Sequence, residues 1–280
     1  MSGRIAVFLV CAALLGCGDG DGDNGPDGGT GGDPDSGSGT QQDGGSTTRC
    51  SPGGGGAPIP LKEAKLNIEH NATDADTGFQ GFIDSAGWAC LDVTGPEGHV
   101  LNFQGQGELR RLGLTELFFE TVEPQNADVS IADILAMLPE GEYTIEGPAM
   151  EAGEELGTTR GVALLTHDIP AGPELVAPAE KAVVPAGELV VEWRPVTETI
   201  AGEPVTIISY QLIIEKDEEP HPHMIGKRGL SMYLPASTTS MNVGAGFLEP
   251  GTSYLWEVLA IEESGNQTLS SGSFETAAAP

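Results

Sequence analysis

From Pro60 onward, apolar and polar residues alternate in short segments, and turn formers such as Gly, Pro, Asn and Asp separate these segments. Successive side chains of a β-strand point to opposite faces, so an alternation of period two indicates strands with one buried face. Short strands at regular spacing are typical of an all-β sandwich. The pattern therefore predicts an all-β fold for the chain beyond residue 60.

The first half of this region contains a run of predicted strands. They are Ala64 to Glu69, Phe79 to Asp84, Ala89 to Thr94, Val100 to Gln104, Thr115 to Thr121, Gly141 to Glu146 and Gly161 to His167. Between two of them, Gly95 to Gly98 has the composition of a tight turn, which predicts a hairpin. Ser130 to Leu138 instead shows helical spacing behind Ser130 as N-cap, with Asp133 three residues on. We therefore expect one short helix among the strands.

The second half carries strands at Leu189 to Trp193, Ile207 to Lys216 and Tyr254 to Ile261, and a last strand ends near Phe274. Trp193 closes the first of these, and the turn from Leu248 to Tyr254 reads Leu-Glu-Pro-Gly-Thr-Ser-Tyr. These residues, with Tyr210, resemble the fibronectin type III family in order and spacing. The resemblance implies a β-sandwich whose Tyr254 hydroxyl bonds to upstream backbone in a tyrosine corner.

These patterns predict two tandem immunoglobulin-like or fibronectin type III-like sandwiches. Residues 61–170 form the first, which includes the short helix, and residues 173–278 form the second. The segment Thr166 to Pro173 is the expected junction, and its shortness implies restricted relative motion. One departure from the family is a long, charged connection at Asp217 to Met232.

The N-terminus predicts export and a lipid anchor. Arg4 precedes an apolar run from Ile5 to Leu15 that ends at Gly16 and Cys17. A run of this length is too short for the roughly 20 residues of a membrane-spanning helix. It resembles a bacterial lipoprotein signal peptide over residues 1–16, which implies cleavage before Cys17 and acylation of Cys17. The alternative is an ordinary secretory signal that happens to contain Cys17.

This resemblance places the protein in a bacterial cell envelope, anchored to the membrane by lipid on Cys17. Gly18 stands where Asp would suggest retention at the inner membrane, so the resemblance favours the outer membrane or cell surface. Asp19 at the next position leaves the inner membrane as the alternative. Residues 17–60 are rich in Gly and Asp and have no aromatic side chain. Such a segment buries too little apolar surface to offset the entropy of ordering, which predicts a disordered acidic tether.

Two cysteines, Cys50 and Cys90, remain after removal of the signal and acylation of Cys17. In an oxidising compartment this favours a disulfide that fastens the end of the tether to the first sandwich. The alternative is a free Cys90 buried in a strand, with Cys50 exposed.

The net charge of the protein limits the classes of partner that it can bind. The formal net charge is −30 at pH 7, and such a surface repels phosphate backbones and anionic lipid. We therefore expect no nucleic-acid partner, and membrane contact through the acyl anchor alone.

No catalytic motif is present, and we expect neither an enzyme nor a resident cofactor. The most suggestive polar cluster is Asn71 to Gly78, in which Asp74 and Asp76 stand two apart. These carboxylates offer the hard oxygen ligands that calcium prefers. The alternative is an Asx turn in which the side chains bond their own backbone.

Three other features have two interpretations each. His221 and His223 suit a soft divalent metal or a solvated loop. The aromatic residues of the first sandwich suit a sugar-binding platform or its core; they are Phe79, Phe82, Trp88, Phe118 and Phe119. Arg110 and Arg111 suit an anion site or local charge balance.

The expected function is that of a lipid-anchored envelope protein that displays two sandwiches for protein or polysaccharide binding. One alternative is a structural spacer or scaffold of the envelope. Another is an accessory protein of a carbohydrate-directed enzyme.

Overall fold

The computed structural model describes residues 49–50, 56–224, 226–244 and 246–279. The predicted signal peptide, Cys17 and most of the predicted tether lie outside the described residues. From Arg49 onward the chain forms one compact unit. It is an all-β fold of two sandwiches, as the alternation predicts. Among the described residues, no helix has the length and apolarity needed to cross a membrane.

The first sandwich is built from the strands that precede residue 166. They are β1 (Ile59–Pro60), β2 (Glu63–Asn71), β3 (Asp76–Trp88), β4 (Cys90–Gly95), β5 (Gly98–Gln104), β6 (Leu114–Glu120), β7 (Gly141–Glu151) and β8 (Glu154–Leu165). One sheet has the order β1-β8-β7-β4-β5, and the other has the order β2-β3-β6. The long β3 links them, since Trp88 at its end pairs with Ala149 of β7.

Apolar side chains from both sheets meet in one core, which includes Ile68, Ile83, Trp88, Leu91 and Ile145. Two helices lie beside it. In α2 (Ile131–Met137), the Ser130 hydroxyl accepts from the backbone N–H of Asp133, as the N-cap pattern predicts. The short α1 (Gly107–Leu112) was not predicted, because it buries no side chain and so leaves no apolar periodicity in the sequence.

The second sandwich comprises the strands after residue 174. They are β9 (Leu175–Ala177), β10 (Ala182–Val184), β11 (Leu189–Trp193), β12 (Ile207–Lys216), β13 (Gly229–Pro235), β14 (Ser240–Val243), β15 (Ser253–Glu262) and β16 (Gln267–Thr276). A sheet of order β14-β11-β9 faces one in which β16, β15, β12 and β13 are consecutive neighbours. Strand β13 begins inside the long connection expected at Asp217 to Met232 and pairs with β12.

The core of the second sandwich contains the family-like residues. Trp193 and Tyr210 are buried and make an edge-on ring contact with centroids 5.6 Å apart. The hydroxyl of buried Tyr254 accepts from the backbone N–H of Glu249 at 2.8 Å. This is the upstream backbone contact of a tyrosine corner.

The two sandwiches share a sheet. Strand β16 pairs in parallel with β2 through Gln267 with Glu69, Thr268 with His70, and Leu269 with Asn71. The sheet β6-β3-β2 of the first sandwich therefore continues into β16-β15-β12-β13 of the second. Asn266, just before β16, closes the junction: its Oδ1 accepts from the backbone N–H of Ile68 at 2.8 Å, and its Nδ2 donates to the Thr166 carbonyl at 3.0 Å.

Candidate functional site

A cluster of carboxylates lies where the shared sheet passes from one sandwich to the other. Glu69 projects from β2, Glu120 ends β6, and Glu123 follows three residues later. One oxygen of each lies within 4.8 Å of the others. Glu69 is 3% exposed, whereas Glu120 and Glu123 are half-buried.

Two amides hold this cluster in place. Gln267 of β16 donates through Nε2 to Glu69 Oε2 and to the Oε1 of Gln80, the latter at 3.1 Å. Gln80 of β3 in turn donates to Glu120 Oε1 at 2.7 Å. The strand register explains the arrangement, because Gln267 pairs with Glu69 and Gln80 pairs with Glu120.

Gly78 makes room for the third carboxylate. A Cβ placed at Gly78 would stand 2.6 Å from Cγ of Glu123. Since carbon atoms in contact pack at about 3.5–4.0 Å, only glycine permits the Glu123 side chain to lie here. The Oε1 of Glu123 is buried and has no hydrogen-bond partner.

Burial dominates the electrostatics of Glu69. Loss of solvent, followed by the charges of Glu123, Glu120 and Glu257, raises the pKa of Glu69 to about 8, although the hydrogen bond from Gln267 acts in the opposite direction. Desolvation disfavours the charged form of a carboxyl group, and like charges nearby disfavour it further. Glu69 therefore keeps its proton at neutral pH.

The pKa values of two neighbouring carboxyl groups are raised for the same reasons. Burial, with the charges of Glu120 and Asp76, raises the pKa of Glu123 to about 7. Burial, with the charge of Glu215, raises the pKa of Glu257 to about 7, while Lys227 partly offsets this. The cluster has an excess of negative groups, and the proton that Glu69 retains neutralises part of it.

Asp74 and Asp76 are not among the three clustered carboxylates, although Asp76 lies close enough to act on Glu123. The Asn71 Oδ1 accepts from the backbone N–H groups of Thr73 and Asp74 at 3.0 and 2.9 Å, which is an Asx turn. The Asn71 Nδ2 donates to Asp74 Oδ2 at 2.9 Å, and Gln125 donates to Asp76 Oδ2 at 3.2 Å. Each carboxylate thus has one side-chain partner, whereas the Oδ1 of Asp76 is buried without one.

Cys50 and Cys90 form a disulfide with their Cα atoms 5.7 Å apart. Asp92, two residues along β4, supports it by accepting from the backbone N–H of Cys50 at 2.8 Å. Its Oδ1 contacts Asn102 Nδ2 at 2.8 Å and His99 Nε2 at 2.9 Å. Burial alone would raise the pKa of Asp92, but these hydrogen bonds outweigh it and lower the pKa. The Asp92 carboxylate therefore stays ionised and holds the backbone of Cys50 next to β4.

The other candidates are separate from the cluster. His221 and His223 lie in an exposed loop, where the backbone N–H of His223 contacts Nδ1 of His221 at 3.2 Å. Phe79 and Trp88 are buried in the first core, and Phe119 packs against it, whereas Phe118 is 42% exposed. The Arg111 Nη1 pairs with Glu108 Oε2 at 3.3 Å on the surface.

Sequence reasoning missed the carboxylate cluster. In the sequence, Glu69 is one polar residue of a strand and resembles other exposed glutamates. Its partner Gln267 lies 198 residues away, and no local pattern connects the two. Gly78 lies just before the predicted strand Phe79 to Asp84, so its position in the sequence did not indicate the close approach of Glu123.

No family model matches the chain, and no curated protein matches it either. Similar solved structures include the FN1-FN3 domains of chicken CNTN1, with 12% identity over 82% of this chain and 67% of that chain at a TM-score of 0.31. A two-domain fibronectin type III segment of chicken tenascin has 13% identity over 77% of this chain and 99% of that chain, at 0.28. The fn3 domain of human collagen alpha-1(XX) has 20% identity over 39% and 90%, at 0.26. These TM-scores are too low to support an argument. The two-sandwich fold is defined by this chain's own strand order and by the hydrogen bond of Tyr254.

Proposed function

We propose that this protein is a lipid-anchored component of a bacterial cell envelope that displays two β-sandwiches for binding a protein or polysaccharide partner. Cys17 carries the anchor, and the acidic segment after it spaces the sandwiches from the membrane. The protein resides in the outer membrane or at the cell surface and has no catalytic activity.

The observation that carries this proposal is the double attachment of Cys50. The disulfide to Cys90 and the hydrogen bond to Asp92 both join this residue to β4, inside the first sheet. A chain that must hold a folded unit on a long tether benefits from such a fastening, because a pull on the tether then acts on a covalent bond.

A second observation is compatible with the alternative function, in which the protein is a structural spacer. The shared sheet and the Asn266 contacts leave the two sandwiches without a free hinge. Such a unit suits either a stiff binding surface or a stiff support. The two functions differ in whether a soluble partner exists.

Expression of the full chain in a bacterium with an outer membrane tests the anchor. We expect the wild-type protein to fractionate with membranes, and mass spectrometry of its N-terminal peptide to show acylated Cys17. Cys17→Ser abolishes both. Cys11→Ser is the matched control, because Cys11 lies within the segment that is removed. A Cys17→Ser protein that remains in the membrane fraction, with no acyl mass in the wild type, would contradict the anchor.

The binding role is tested with the same strains. Crosslinking on whole cells, followed by purification of the anchored chain, should enrich one protein or polysaccharide repeatedly. The Cys17→Ser strain should lose this enrichment, since its sandwiches are no longer held at the envelope. Intact anchoring without any enriched partner would replace the binding role with that of a spacer.

A further inference from the structure

We propose that the junction between the two sandwiches is a pH-sensitive latch, which the carboxylate cluster around Glu69 holds closed at acidic and neutral pH and loosens at alkaline pH. The latch is the parallel pairing of β2 with β16. Closing it fixes the two sandwiches to one another, and loosening it permits them to move apart.

The pairing is short and depends on the cluster. Three residue pairs join β2 to β16, and Glu69 with Gln267 is the first of them. The backbone N–H of Ala72 donates to the Leu269 carbonyl at 2.9 Å at the other end. A change at Glu69 therefore acts directly on the hydrogen bonds that join the sandwiches.

Negative groups face Glu69 from both sandwiches. In the first sandwich, Glu120 and Glu123 act on Glu69, Asp76 acts on Glu123, and Asp74 of the β2–β3 turn acts on Glu257. In the second sandwich, Glu257 acts on Glu69, Glu215 acts on Glu257, and the phenol of Tyr233 lies close enough to sense Glu69. Lys227, the basic group that faces them, lowers the pKa of Glu257 and Glu215.

Protonation decides whether this arrangement is stable. A protonated Glu69 accepts from Gln267 through Oε2 and carries no charge for Glu120 and Glu123 to repel. Once Glu69, Glu123 and Glu257 are all ionised, they repel one another across the junction. Two of them, Glu69 and Glu257, are under 10% exposed, so water screens this repulsion poorly.

The direction of the pH effect follows from linkage. Glu69 has a folded-state pKa of about 8 against 4.5 for the free group, so the closed state binds more protons than the open state between these values. Stability of the closed state is therefore complete below about pH 4.5 and falls as the pH rises through 8.

Hydrogen exchange on the full chain in detergent micelles, with a chelator present, tests the latch. The reporters are the amides of Ala72 and Ile68, which bond across the junction, and the reference is the amide of Leu212 in β12. After correction for intrinsic rates, we expect protection of the reporters to fall about a hundredfold from pH 6 to pH 9, because Glu69 has a pKa of about 8 in the closed state and 4.5 in the open state. Protection of Leu212, which is lost only when the second sandwich unfolds, should stay above that of both reporters at pH 9. Reporters as well protected as Leu212 at pH 9, or unchanged between pH 6 and pH 9, would overturn the proposal.

Glu69→Gln isolates the cause, because glutamine has the shape of the protonated side chain and cannot ionise. We expect this variant to keep its junction protection at pH 9. The matched control Glu154→Gln replaces an exposed glutamate of β8 and should behave as the wild type. If Glu69→Gln does not fold, Glu123→Gln should show a clearly reduced pH dependence. A wild-type profile in whichever variant folds would exclude the latch.

Discussion

Single residues acquire their roles here from what lies opposite them in space. Glu69 and Glu154 are both strand glutamates, yet the first is 3% exposed and the second lies in solvent. The difference arises because β16 covers Glu69 and presents Gln267 to it. Asn266 is a similar case. It ends a turn, and its side chain accepts from the backbone N–H of Ile68 and donates to the carbonyl of Thr166.

Asn266→Ala should therefore destabilise the protein strongly. It leaves the buried N–H of Ile68 and the Thr166 carbonyl without partners, and each unsatisfied buried group costs about 1–3 kcal/mol. We expect a loss of about 2–4 kcal/mol in the free energy of unfolding by urea denaturation. Asn242→Ala, at an exposed position of β14, is the control and should change the value by less than about 0.5 kcal/mol. Equal losses in both variants would show that the junction contacts of Asn266 contribute little.

At the scale of elements, β16 is the strand on which the architecture depends. One edge pairs with β15 along its length, and the other edge pairs with β2 at its start and with β10 at its end. The covered edge removes an exposed row of backbone donors and acceptors that would otherwise invite aggregation. The strand β4 has a comparable role in the first sandwich, since it carries both Cys90 and Asp92.

Reduction of the disulfide should weaken the first sandwich measurably. The bond closes a segment with a sequence separation of 40 residues, and loss of such a constraint on the unfolded chain costs about 4 kcal/mol in the chain-entropy model. We expect a corresponding decrease in unfolding free energy on addition of reductant, measured by urea denaturation. The Cys50→Ala/Cys90→Ala double variant should start at the lower value and should not respond to reductant. A response of the double variant equal to that of the wild type would assign the effect to something other than this bond.

At the scale of the whole molecule, the two sandwiches have separate cores and a common sheet. One core is centred on Trp88 and the other on Trp193. Because the sheet continues from β6 to β13, the carboxylate cluster lies inside the folded unit and not on its rim. Its ionisation should therefore affect global as well as local stability.

We accordingly expect the melting temperature to fall as the pH rises from 5 to 9. Glu69, Glu123 and Glu257 have folded-state pKa values of about 8, 7 and 7, all above the free value of 4.5. Their stabilising contribution is present at low pH and is lost through this range. A loss of a few kcal/mol corresponds to a fall of roughly 5–10 °C for a unit of this size. Asp92, whose pKa is lowered, acts in the opposite sense and only below about pH 4. A flat or rising profile by calorimetry would contradict this prediction.

The sequence by itself determined most of the long strands, the short helix after Ser130 and the fibronectin type III-like character of the second sandwich. It did not reveal α1 or the strands β1, β9, β10, β13 and β14. These follow from alternation, capping and turn chemistry, which act between residues near in sequence. The same local patterns suggested two modules in tandem and paired the two remaining cysteines.

The tertiary structure alone decided how the modules meet. The register of β2 against β16 joins residues 198 apart in the chain, and it places Glu69, Glu120, Glu123 and Glu257 around one point. Neither periodicity nor composition encodes such a meeting, because burial and charge interact through space and depend on which strands become neighbours. The buried carboxylates, and the pH dependence that we derive from them, arise from that pairing.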